Sequence, residues 1–230
     1  MSVGGSPSVD SLQLWILTAV VEGPWYFPVL TSAERFARQS NYRIPLVDGS
    51  TLVDAVEGLL SADLLMAEWH NRRVPWENRA RIESWIGAEP FTVDTVHFAL
   101  TPEGGAFWER TCNADWSRYL NGSGPCSTID VVGEEFTSWM HYEGATWSRV
   151  TEYARLSEIA FWHTRLRART RELRPWKATY WKTLPSGFRL SSKYRYGTEE
   201  SKAIWLANWR TPQPVRSELW GFTRWYQDPP

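Results

Sequence analysis

Cations and aromatic rings crowd residues 165–195 of this 230-residue chain. Five arginines fall within ten positions: Arg165, Arg167, Arg169, Arg171 and Arg174. Downstream, Trp176, Lys177, Tyr180, Trp181, Lys182, Phe188, Arg189, Lys193, Tyr194 and Arg195 interleave rings with positive charge. A guanidinium fork matches a carboxylate or a phosphate. Rings alternating with cations suit stacked bases on a charged backbone. The same residues also suit a plainer role. Arginine stems can cover an apolar seam while their heads stay in water, and a two-faced strand pair can turn its rings inward and its cations outward.

Catalytic machinery is not evident. The histidines His70, His97, His141 and His163 stand in no HExxH or paired-His spacing. Cys112 and Cys126 have no second pair to complete a zinc site. No glycine-rich phosphate loop and no GxSxG elbow occurs. Glu134 and Glu135 with His141, or Cys126 with His141, are the pairings left for a base or a nucleophile, and such proximity arises by chance in most chains. The expectation is a non-enzymatic protein with no metal and no cofactor.

Composition bounds the rest. Apolar residues make up 43% and charged residues 22%, enough for a real core. Sixteen tryptophans are far more than space-filling needs, since each indole N–H wants a partner. They mark either an aromatic-rich core or a recognition surface. No apolar run reaches membrane-spanning length. Residues 1–9 read as a polar tail without a signal-peptide pattern, so a cytoplasmic location is expected. The net charge of −1 hides an asymmetry: residues 1–121 hold 9 Arg, no Lys and 15 acids, and the remaining residues are net basic. Asn121-Gly-Ser-Gly-Pro-Cys-Ser punctuates the boundary. The division expected is a tail (1–9), a first domain (10–120), a linker (121–128) and a basic, Trp-rich second domain (129–230).

In the first domain, Ser11–Glu22 reads as a buried helix and Ser32–Gln39 as a short second one capped by Ser32. Thr51 is expected to cap a third, in which Leu52, Val53, Val56, Leu59 and Leu60 form one buried face. Leu64–His70 and Thr92–Leu100 read as strands, with a polar, Arg-bearing excursion between them. Thr101-Pro-Glu-Gly opens a further helix with an N-cap, a first-turn proline and a first-turn acid.

With this order of elements, the junction Phe98-Ala-Leu-Thr-Pro-Glu-Gly-Gly-Ala-Phe-Trp-Glu109 resembles winged helix-turn-helix regulators of the MarR and PadR type. The resemblance implies an α+β fold and DNA binding, with the third helix in the major groove. It departs from the family in a long excursion between the strands and a long segment from Ser40 to Gly49. The third helix is also acidic where a groove helix should be basic. Opposite its leucines lie Asp54, Glu57 and Ser61, and no Lys or Arg occurs between Asp48 and Glu68. Each carboxylate near a phosphate costs on the order of 1 kcal/mol in water. Asp54, Glu57 and Ser61 are therefore expected to meet a protein. Arg72, Arg73, Arg79 and Arg81 offer a basic wing, or pair with Glu77 and Glu83 as a solvated loop.

In the second domain, Ala145–Leu173 is expected as one long helix, with Ile159, Trp162, Leu166 and Leu173 as its stripe and arginines on both flanks. Trp176–Tyr196 is expected as a hairpin turning at Pro185-Ser186-Gly187. Ser201–Arg210 reads as a short helix, and the aromatic tail after Pro212 as a strap onto the body. The fold class expected is α+β, a winged-helix-like domain followed by a long-helix and β-hairpin domain. The function expected is a protein-interaction module of toxin-neutralising or assembly type, with a homodimer admissible. The alternative is a DNA-binding regulator that uses its wing and its basic half. The candidate anion or nucleic-acid contacts are Arg72, Arg73, Arg165, Arg167, Arg169, Arg171, Lys177, Lys182, Arg189 and Lys193.

Overall fold

In the computed structural model the residues described are 9–22, 48–70, 72–86, 96–123, 129–132, 135–161, 164–196 and Trp225. They form a mixed α+β structure of five α-helices and three antiparallel sheets. The expected second helix at Ser32–Gln39, the expected helix at Ser201–Arg210 and most of the aromatic tail lie outside these residues. The chain divides into two compact units. The first runs through Asn113 and includes Thr179–Lys182; the second comprises Ala114–Ala178 and continues from Thr183.

The first unit begins with α1 (Ser11–Val20), closed by a capping box. Asp10 accepts from the Gln13 N–H at 2.8 Å, and the Gln13 side chain accepts from the Asp10 N–H at 3.1 Å. The next described helix, α2 (Gly49–Ser61), is the expected third helix. Its cap is Asp48, not Thr51, with the Thr51 N–H donating to the carboxylate at 3.0 Å. Asp starts the helix three residues earlier because it satisfies an orphan N–H and carries a charge that suits the helix dipole. The five residues expected on the buried face of this helix are buried, and Ala55 joins them.

The C-terminus of α2 closes in a Schellman arrangement. Leu64 N–H reaches the Leu59 carbonyl, Asp63 N–H reaches the Leu60 carbonyl, and Asp63 takes φ 54° between them. The chain then enters β1 (Leu65–Trp69) and β2 (Arg72–Val74). The polar excursion continues into a helix, α3 (Arg79–Ile86), which buries Ile82, Trp85 and Ile86. The excursion is a loop only in part, because these three side chains carry enough apolar area to need cover, while Arg79 pairs with Glu83 as expected of a solvated loop. The returning strand is β3 (His97–Leu100), and the sheet order is β2-β1-β3.

After β3 comes α4 (Pro102–Thr111), capped by Thr101 as expected. Two tryptophans in this unit find partners for their indole N–H. Trp108 is fully buried and donates to Thr18 Oγ1 at 3.0 Å, and Trp181 donates to the Val21 carbonyl at 2.8 Å.

The second unit is built on an antiparallel sheet. Its strands are β4 (Leu120–Ser123), β5 (Ile129–Val132), β6 (Glu135–Gly144), β7 (Thr164–Leu173) and β10 (Gly187–Tyr196). They run in the order β4-β6-β10-β7, with β5 also pairing β6. Helix α5 (Trp147–Phe161) packs on one face, where Leu120, Met140, Tyr142, Val150, Ala154, Leu190 and Tyr194 form the core.

The expected helix over Ala145–Leu173 is therefore corrected: it ends at Phe161, and Thr164–Leu173 is a strand. A helix there would stack Arg165 on Arg169 and Arg167 on Arg171 at i,i+4 spacing, which is unfavourable. Pairing with β10 supplies a full ladder instead. The expected hairpin is corrected too. Its long partners are β7 and β10, while β8 (Trp176–Lys177) and β9 (Thr183–Leu184) make a two-stranded ribbon of their own. Next to this ribbon, Trp176, Tyr119, Trp116 and Trp225 form a tryptophan-rich cluster with ring centroids 4.4–5.8 Å apart along it. Of the tail after Pro212, Trp225 is described: it is buried, and its carbonyl accepts from the Asp115 N–H at 3.0 Å.

Candidate anion-binding face

Strand alternation decides which side chains meet on each side of this sheet. On the face away from α5, the register aligns Arg171 with Arg189 and Glu143, Arg169 with Ser191 and His141, and Arg167 with Lys193 and Trp139. Arg195 follows, opposite Thr137. Arg167, Arg169, Arg171 and Arg195 are exposed; Arg189, Ser191, Lys193, Trp139, His141 and Glu143 are half-buried. Neighbouring rows on a strand are about 6.6–6.8 Å apart.

Two of these rows put like charges directly opposite each other, Arg171 against Arg189 and Arg167 against Lys193. Such pairs destabilise a sheet. Among the described side chains of this face, one carboxylate offsets them. Glu143 accepts from Arg189 Nε at 2.6 Å and from the Trp176 indole N–H at 2.7 Å. No described carboxylate pairs with Arg167, Arg169 or Arg171. The Arg169 guanidinium lies over the Trp139 ring, 5.3 Å from its centroid, reaching across β10 to do so.

His141 Nδ1 and Ser191 Oγ lie 2.8 Å apart in the middle of this field. Burial, and then the nearby Arg189 charge, hold the imidazole below its usual pKa, with Glu143 pulling the other way. His141 is thus neutral at neutral pH. Ser191 beside a neutral imidazole has the outline of a nucleophile and base pair. The pair lies mid-sheet, where backbone N–H groups are committed to the ladder. Of its other suggested partners, Cys126 lies outside the described residues, and so does Glu134.

A β-bulge separates Arg165 from the other arginines. Lys193 pairs with Arg167, but the next residue, Tyr194, pairs with Arg165, leaving Leu166 as the extra residue. Arg165 thereby turns to the α5 side. There its Nε donates to Glu158 at 2.5 Å, and the Tyr194 hydroxyl also donates to Glu158 at 3.0 Å. Arg174 pairs with Glu172, its Nε donating at 2.7 Å.

The other candidates are placed elsewhere. Lys177 is exposed on β8. Lys182 donates to both carboxylate oxygens of Glu109 at 2.9 and 2.7 Å, and both side chains are mostly buried. Arg73 pairs with Asp63 at 2.6 Å, and Arg72 is exposed on β2. On α2, Ser61 is exposed, but Asp54 and Glu57 are not bare. Arg79 of α3 pairs with Asp54, with Glu57 at 3.5 Å and with Glu83 at 3.0 Å. A single guanidinium from the excursion thus lies among three carboxylates, and the face keeps a net negative charge with Asp54 exposed.

Trp139, Ser191 and Arg195 were not among the candidate contacts, although they share this face. Their signal is a period of two in Trp139, His141 and Glu143, which matters only once β6 is known to be central. Among the described residues, no group of His, Cys, Asp and Glu could hold a metal, and no helix is long and apolar enough to cross a membrane. Comparison with protein-family models, characterised proteins and solved structures finds no match for this chain.

Proposed function

We propose that the protein is a non-catalytic nucleic-acid-binding protein that holds the phosphate backbone on the basic face of its larger sheet. The observation that carries this is the run Arg167, Arg169 and Arg171, exposed side by side on one face of β7 and paired with no carboxylate among the described residues. Local rules of sheet pairing are broken where a partner supplies the missing charge. A polyanion does so over several rows at once, with release of its counterions.

The reading as a protein-interaction module through Asp54, Glu57 and Ser61 is weakened, because Arg79 offsets part of the charge of the first two. The first unit we read as winged-helix-like. The order α1, α2, β1, β2, α3, β3, α4, with β1 antiparallel to β3, supports this. In that reading α2 stands where the groove helix would, yet it has no cation of its own, and α3 packs against it. The nucleic acid is therefore assigned to the sheet.

The test is binding of a fluorescein-labelled oligonucleotide at a series of salt concentrations. Three arginines on the face (Arg167, Arg169, Arg171) predict a log–log slope of roughly −2 to −3. Absence of binding at low salt refutes the reading. So does salt-sensitive capture of polyglutamate in preference to the oligonucleotide, which would point to an acidic protein partner.

A further inference from the structure

We infer, on the basis of the nucleic-acid reading above, that the partner is a single strand and that the Trp139 ring is the platform for one of its bases. A duplex offers a protein phosphates and base edges, and its base faces are stacked away. A ring set amid cations has no counterpart there. A single strand exposes base faces, and these stack on aromatic side chains whatever the sequence.

Trp139 meets that requirement in three ways. It lies on the same face as Arg167, Arg169 and Lys193, within the rows that would hold phosphates. It is half-buried on β6, next to His141 on the same face. Its ring face already attracts a cation, the Arg169 guanidinium 5.3 Å from the centroid, so ring and cation are within reach of one nucleotide. A base arriving on the ring displaces or covers that guanidinium and turns it toward the adjoining phosphate. Ring and cation then act on the same nucleotide. The cations bind phosphate and the ring binds a base face, neither of which distinguishes the two sugars, so DNA and RNA strands are expected to bind alike.

The experiment compares oligo-dT and oligo-rU of about 20 nucleotides with a mixed-sequence duplex of the same length, by fluorescence anisotropy on the whole chain. The result expected is single-strand binding about tenfold or more tighter than duplex binding. Trp139→Leu should remove that margin while leaving duplex binding within twofold, and Trp139→Phe should keep most of it. Equal or tighter binding of the duplex by the unaltered protein overturns the inference and leaves the nucleic-acid reading intact. So does a Trp139→Leu protein that keeps the single-strand margin. Failure of every oligonucleotide to bind at low salt overturns the nucleic-acid reading itself. If the leucine variant does not fold, the comparison on the unaltered protein still decides whether the partner is a single strand, and Trp139→Gln then tests the ring, with a retained single-strand margin overturning its role.

Discussion

His141 is the titratable group most tightly placed within the basic face. Trp139 and Glu143 flank it on β6, and Ser191 faces it from β10, with Arg189 and Lys193 on either side of the serine. Its folded pKa lies below the ordinary 6.5, chiefly through burial. The unfolded chain therefore takes up a proton first as pH falls below about 6.5, and the folded state loses stability until its own imidazole titrates. Above that window the stabilisation is fully present. Urea midpoints measured at about pH 7.5 and about pH 5.5 should drop more for the unaltered protein than for His141→Gln. Equal drops would show that His141 does not titrate as placed. How much of this site was legible follows from the same residues. The arginine run was visible at once, because composition alone displays it. The partition of that run was not. Arg165 and Arg167 look equivalent in sequence, and only a bulge at Leu166 sends one to Glu158 and leaves the other on the open face.

Among the elements, the junction from β3 into α4 explains its own motif. Thr101 Oγ1 accepts from the Gly104 N–H at 2.9 Å and donates to the Asp63 carbonyl at 2.5 Å. A Cβ on Gly104 would come within 1.8 Å of the Leu64 carbonyl oxygen, so the first turn of α4 lies flat on the chain leaving α2 only because that residue is glycine. Thr101→Ala should cost about 1 kcal/mol for the cap. Gly104→Ala should cost about 1–3 kcal/mol, because a backbone must move to admit the methyl group. Urea denaturation at one pH measures both, and an unchanged midpoint for Gly104→Ala would contradict the close approach. This junction was legible because its signals are local: a cap, a proline and a glycine within four residues. The leucine face of α2 was legible for the same reason. Strand β7 was not. Its apolar stripe satisfied a helical period, and its ladder partner β10 begins 14 residues after β7 ends. Where two periods fit, the distant partner decides.

For the molecule as a whole, the near-zero net charge conceals two different arrangements. In the acidic half, cations lie among the carboxylates: Arg79 is shared by Asp54, Glu57 and Glu83, Arg73 pairs with Asp63, and Lys182 with Glu109. In the basic half, Arg165, Arg174 and Arg189 are answered in the same way, while Arg167, Arg169 and Arg171 are arrayed on one sheet face. Sequence counts showed the imbalance, but only the register shows where it is concentrated. If that array exists for an anionic partner, it is a cost to the free protein. Charge reversal should then separate stability from binding. The decisive measurement is made on Arg167→Glu/Arg171→Glu, with thermal melting and oligonucleotide affinity determined on the same preparation. Each substitution turns a like-charge row into an opposite-charge row, so the melting temperature should hold or rise while affinity at low salt falls at least tenfold. A folded variant that keeps its affinity would contradict the account, whatever its melting temperature.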